Sequence, residues 1–178
     1  MTTELRGTGI RLRALQTADQ ETLRAFVNDP QVLRLSNSYR PISDVQQEAW
    51  WRHVTQDAHQ VWFGIEDLPT AKLLGTCCLV DIEWISRQAE LRIRIGAKEA
   101  WGRSLGTEAC TLLIGYGFGQ LNLERIWLRV AAPHTAALRL YEKLGFAIEG
   151  RLRRATVIDG APEDVVMMAL LRDDWRKR

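Results

Sequence analysis

An alternating segment runs straight into a glycine turn and then into a long helical pattern, and this succession constrains the architecture more than any other part of the chain. Ala89, Leu91, Ile93 and Ile95 share one side of an extended segment, and Glu90, Arg92 and Arg94 the other. The turn is Trp101-Gly102-Arg103-Ser104-Leu105-Gly106-Thr107, and Ala109, Leu112, Leu113 and Tyr116 then recur at helical spacing within residues 104–120. A strand with an apolar face has to bury it against another layer. Two glycines and a serine let the turn's backbone approach a ligand closely. The first N–H groups of the helix it opens lack intrahelical partners. With the positive end of the helix dipole and Arg103 they make a cradle suited to a phosphate.

The rest of the chain alternates short strands with amphipathic helices. Ile10, Leu12 and Leu15 mark a first strand. Thr17-Ala18-Asp19-Gln20 predicts a capping box with Thr17 as N-cap, opening a helix that carries Leu23, Phe26 and Val27 and stops near Asn28-Asp29-Pro30. After a polar loop at 36–41, Ser43-Asp44-Val45-Gln46 predicts a second capping box and a helix to about Gln56. Strands follow at 61–65, 73–82 and 89–95, and again at 126–131 beyond the long helix. A helix at 135–144 ends at Gly145, and strands at 146–152 and 165–171 close the chain, with a turn at Asp159-Gly160. Antiparallel meanders flanking a strand–helix–strand centre give an α/β (α+β) fold with a mixed sheet and helices on its faces. With 178 residues and no repeat or linker, residues 1–178 read as one domain.

Composition excludes several classes. The formal charge of +2 is too small to argue for nucleic acid. The arginines at 151, 153, 154, 172, 176 and 178 and Lys177 are diluted by Asp159, Glu163, Asp164, Asp173 and Asp174. The amino end lacks the apolar stretch of a signal peptide, and no segment is apolar enough to span a bilayer. Cys77, Cys78 and Cys110 read as small buried hydrophobes, which fits a cytoplasmic protein without disulfides. His53 and His59 have no carboxylate or cysteine cluster at ligand spacing, so no metal is expected. Exposed tryptophans in the second helix, Trp50 and Trp51, would suit a homodimer.

Downstream of the cradle lies Val130-Ala131-Ala132-Pro133-His134-Thr135-Ala136-Ala137-Leu138-Arg139-Leu140-Tyr141-Glu142-Lys143-Leu144-Gly145-Phe146. Together the two segments resemble the signature segments of the GCN5-related N-acetyltransferase (GNAT) superfamily. Within it they are closest to the branch of ribosomal-protein alanine acetyltransferases and spermidine/diamine acetyltransferases. Residues 95–100, Glu149-Gly150-Arg151-Leu152-Arg153 and Asp164-Val165-Val166-Met167-Met168 extend the likeness over nearly the whole chain. It implies a mostly antiparallel sheet of about seven strands, four helices on its faces, and two central strands that splay apart. It also implies acetyl-CoA as cosubstrate, with pantetheine against the backbone of Ile93, Arg94 and Ile95 and the strand at 128–130. The pyrophosphate would then sit on Trp101 to Thr107, and His134, Ala137 and Lys143 would serve the cofactor from the next helix. Two positions depart from the family: Ser104 stands where glycine is usual, and His134 where asparagine is usual. Serine resists positive φ, although its hydroxyl could bind a phosphate or cap the helix.

The chemistry asks for a proton acceptor and a proton donor. An attacking amine must be neutral, yet alkylamines are mostly protonated at neutral pH. By resemblance Glu90 is the candidate general base, directly or through water; the alternative is an ion pair with Arg87, Arg92 or Arg94 on a solvated face. Tyr141 is the candidate acid for the CoA thiolate, since a phenol near pKa 10 still carries its proton at pH 7; the alternative is a packed aromatic. N–H groups around Arg94 and Ile95 are candidates to bind the thioester oxygen. The resemblance leaves the acceptor as a small amine or polyamine, or a protein N-terminus. The loop from Arg34 to Arg40, with two arginines and no carboxylate, weakens the polyamine option without excluding it, since Asp81, Glu83 and Glu90 could supply acidic groups from the strands. A non-catalytic acyl-CoA-binding regulatory module is the competing reading, resting on Ser104 and His134.

Overall fold

The alternating segment forms a central strand of an eight-stranded sheet in the structure, a computed structural model that describes residues 4–35 and 40–177. In chain order the strands are β1 (Leu5–Arg6), β2 (Ile10–Ala14), β3 (Val61–Asp67), β4 (Leu73–Glu83), β5 (Gln88–Ile95), β6 (Arg125–Ala131), β7 (Ala147–Ile158) and β8 (Ala161–Leu171). The helices are α1 (Asp19–Asn28), α2 (Pro30–Leu35), α3 (Asp44–Gln56), α4 (Leu105–Gly119), α5 (Thr135–Lys143) and α6 (Arg172–Arg176), with a 3₁₀ turn at Lys98–Ala100. The strand order is β1-β2-β3-β4-β5-β6-β8-β7, and β5–β6 is the parallel pair among antiparallel neighbours. A parallel pair needs a crossover, and α4 supplies it.

The count exceeds the expected seven strands and four helices through short elements. β1, α2 and α6 have two, six and five residues, too few for periodicity to register. α1 stops at Asn28, as expected, and the chain turns helical again at Pro30 in α2. Proline suits a first helical turn, and Asp29 accepts the Gln31 N–H at 2.9 Å just ahead of it. The capping box at Thr17 is corrected. α1 starts at Asp19 with Ala18 at the N-cap and no side-chain cap. The Asp19 carboxylate instead accepts the Gln16 N–H at 2.7 Å and two bonds from Arg13. Ser43 and Gln46, by contrast, form the full reciprocal box. The polar loop at 36–41 falls largely outside the described residues. The closing hairpin is longer than expected, with β7 reaching Ile158 and β8 beginning at Ala161.

The sheet has two unlike faces. Leu79, Leu91 and Ile126 look toward α4, whose Gly117 lies against the Leu79 and Ile126 side chains. This side is the main core, with Leu113, Ile114, Leu128 and Met168 fully buried. Register puts Trp62, Cys78 and Arg92 in one row of the opposite face, and Val80, Glu90 and Trp127 in the next. α3 covers part of this side through Trp50, whose ring meets Trp62 edge-on at 5.3 Å. Cys77 and Cys78 point to opposite faces, yet both are buried, and the three cysteines are free thiols.

Candidate functional site

The β5–β6 ladder begins at Gln88 opposite Arg125 and ends at Glu90 opposite Trp127. Both strands continue: β5 stays paired with β4 to Ile95, and β6 stays paired with β8 to Ala131. The strands therefore splay, as expected, and the facing edges at 92–95 and 128–131 leave the ladder. Such edges offer N–H and C=O groups to an extended ligand. The gap opens into a cleft of about 1510 Å³.

The glycine turn forms one wall. Gly102 has φ +76° and Ser104 φ +60°, so the serine is held in the left-handed region that glycine would take freely. Ser104 occupies the N-cap of α4 without a side-chain cap, so the capping option for its hydroxyl is corrected. Leu105 and Gly106, the first helical residues, face the cleft with Thr107. The Trp101 indole donates to the Ile95 carbonyl at 3.0 Å and braces the turn against the end of β5. The Arg103 guanidinium donates to Asp67 at 3.3 Å and remains half-exposed. The left-handed turn and these N–H groups suit a pyrophosphate, and the open strand edges suit a pantetheine arm.

Tyr141 reaches the gap from the α4 side. It is 8% exposed, meets Phe146 at 5.7 Å between ring centroids, and lines the cleft beside Leu140 and Ala137. Burial, with the Cys110 thiol nearby, pushes its phenol above the ordinary value. Ile93 faces the same side, within reach of Gly106. His134 stands at the N-cap of α5 and makes no side-chain cap; burial lowers its pKa. Lys143 and Arg139 lie along the same helix at the cleft.

Glu90 stands on the opposite face and is 3% exposed. Arg92 donates to its Oε2 from Nε at 3.0 Å and from Nη2, while Arg129 donates to Oε1 at 3.1 Å and Oε2 at 3.3 Å. Three charge-assisted bonds converge on Oε2 and one on Oε1, which keeps a lone pair for a further donor. The ion pair foreseen with Arg92 is present, with the carboxylate buried and the guanidinium half-exposed. Arg87 goes to Glu124, and the second partner is Arg129, 39 residues downstream, stacked 5.7 Å over Trp127.

Sequence reasoning missed most of the wall beyond Glu90. Trp50 and Trp51 are half-buried rather than exposed, which removes the premise offered for a homodimer. Trp62 donates to Gln60 at 2.6 Å, and Gln60 donates to Asp57 at 2.9 Å. The His59 N–H and Gln60 hold the Asp57 carboxyl below its usual range, with His53 and His59 beside it. Gln47, one turn before Trp50, is 5% exposed and lines the cleft. Its Nε2 has no hydrogen-bond partner among the described residues. Its place in the helical pattern was the one available signal, and polarity masked it.

Residues 10–147 match the model of the acetyltransferase (GNAT) domain. The chain is 30% identical over 171 residues to a spermidine N(1)-acetyltransferase of Vibrio cholerae, covering 95% of this chain and 96% of that protein. It is 31% identical over 170 residues to the uncharacterized N-acetyltransferase p20 of Bacillus licheniformis, covering 93% and 94%. The crystal structure of spermidine N-acetyltransferase from Vibrio cholerae in complex with CoA and spermine superposes with a TM-score of 0.89 at 29% identity, covering 96% of this chain and 99% of that one.

Proposed function

The chain belongs to the GNAT acetyltransferase family, and we propose that it transfers the acetyl group of acetyl-CoA to a primary amine by direct attack on the thioester. The observation that carries this reading is the end of the β5–β6 ladder at Glu90 and Trp127, with a left-handed glycine turn at one end of the opened gap. The cofactor supplies an activated acetyl thioester. Its pyrophosphate is assigned to the backbone from Gly102 to Thr107, and its pantetheine arm to the edges at 93–95 and 128–130. N–H groups near Arg94 and Ile95 would meet the carbonyl oxygen as charge develops on it.

Tyr141 is assigned the acid role. It approaches from the α4 side, and its phenol carries at neutral pH the proton that the leaving thiolate needs. Glu90 lies on the other face, where the amine would arrive. Arg92 and Arg129 occupy its oxygens, so we assign it to anchoring a water route for the amine proton rather than taking the proton directly. The named relatives favour a small amine or polyamine as acceptor, and a protein N-terminus is the second class. Thiol release from acetyl-CoA, screened against polyamines, amino acids, aminoglycosides and N-terminal peptides, tests the reading. CoA bound without turnover of any amine would favour the regulatory-module alternative.

A further inference from the structure

The cleft offers hydrogen-bond donors and few acceptors. Gln47 Nε2 is a buried donor without a partner among the described residues. Arg129 spends Nε and Nη2 on Glu90, and Arg92 spends the same two atoms there. A guanidinium has five N–H donors, so each keeps an Nη1 amino group for other partners. Arg94 shares their face of the sheet and lines the same cleft. Two of the three carboxylates are already engaged: Glu90 holds two arginines and Asp57 holds the His59 N–H and Gln60, while Asp81 stands at the exposed rim, 3.6 Å from Arg92. Lys143 and Arg139 lie with α5 at the assigned cofactor end.

A polyamine is all donor and all cation. It has no oxygen to satisfy Gln47, and it meets arginines where it needs open carboxylates. An amine that also carries a carboxylate or phosphate fits both demands: its anionic oxygens take bonds from Gln47 and Arg129 while its amino group faces the gap. We propose that the acceptor is such an anion-bearing primary amine, with Gln47 and Arg129 as its specificity determinants. The proposal rests on the acetyltransferase reading above and narrows its acceptor.

The test compares matched amines that differ in the anion: ornithine with putrescine, phenylalanine with phenethylamine, and glucosamine 6-phosphate with glucosamine. The first two pairs read a carboxylate and the third a phosphate. Two readouts are taken on the wild-type protein. One is the ratio of kcat/KM within each pair; the other is the ratio of Kd on CoA-loaded protein, followed by tryptophan fluorescence, which needs no turnover. A preference of about tenfold or more for the anion-bearing member of at least one pair is expected in either readout. Ratios at or below one in all three pairs, or spermidine preferred over every anion-bearing amine, overturn the proposal. Thiol release failing with every amine tried counts against the acetyltransferase reading, and the Kd ratio still decides this one. Q47L should raise KM for the preferred acceptor while leaving the thermal midpoint unchanged or higher, because it removes an unsatisfied buried donor. A lowered midpoint with unchanged KM would make Gln47 a structural residue and sink its role. R129Q should bring the preference ratio close to one, and R129K should restore part of it. An equal loss for both members of a pair would show that Arg129 acts only through Glu90.

Discussion

Glu90 and Trp127 face each other across the last rung of the parallel β5–β6 ladder, and Arg129, two residues beyond Trp127, folds back over the Trp127 ring to reach Glu90. One carboxylate thus closes the sheet at the point where it begins to open. E90Q should remove about 1–3 kcal/mol of stability in urea unfolding, because two guanidiniums lose a buried partner. In the same variant kcat/KM should fall by about a hundredfold. Full activity in a stable E90Q protein would remove Glu90 from the proton route.

Tyr141→Phe should lower kcat by about a hundredfold or more while leaving the Kd for CoA within about twofold. Because burial raises the phenol, the acid form is lost only as pH climbs through a value above the ordinary 10. The kcat profile of the wild-type enzyme should therefore show no descending limb from Tyr141 below about pH 10. Undiminished activity in Tyr141→Phe would reassign the acid.

Ser104→Gly should stabilise the fold by about 0.5–1 kcal/mol, since φ +60° strains a side chain that makes no cap in return. Calorimetry checks the stability and titration with CoA checks the seat. A tighter or unchanged Kd is expected, and a weaker one would mean that the hydroxyl itself binds the cofactor.

His134→Asn gives α5 a residue able to cap it. A gain of about 0.5–1 kcal/mol and a severalfold lower Kd for CoA are expected, by thermal melts and isothermal titration.

Low pH should unfold the amino-terminal edge of the sheet before the α5 region. Burial alone would raise Asp19, Glu66 and Glu108, but Arg13 and the Gln16 N–H hold Asp19 below its ordinary value, Arg13 and Arg11 do the same for Glu66, and the Gly9 and Thr8 N–H groups for Glu108. Carboxyls with lowered pKa contribute stability above the unfolded value, near 4, and lose it as pH falls through the folded one. Hydrogen exchange across pH 5 to 2 should show β2 and β3 losing protection below about pH 4.

Legibility of the fold followed the range of the forces involved. Strand β5, helix α4 and the Ser43 cap were readable because each is set by residues within a turn or two of one another. Thr17 misled because Asp19 found a better partner in Arg13, a tertiary ion pair overriding a local cap. In the site, the glycine turn and Tyr141 were visible as motifs. Arg129 and Gln47 were not, because their roles depend on which strand lies beside Glu90 and on what α3 buries. The contact of Arg103 with Asp67 was likewise hidden, because 36 residues separate the two in the chain.

The Glu108 carboxylate, in the first turn of α4, receives the N–H and hydroxyl of Thr8 and the N–H of Gly9. A Cβ at Gly7 would fall 2.1 Å from that carboxylate. Helix α4, which follows the glycine turn, is therefore moored to the chain's amino-terminal hairpin. Bulk introduced at position 7 would slacken that mooring and be felt at the glycine turn, more than ninety residues away along the chain.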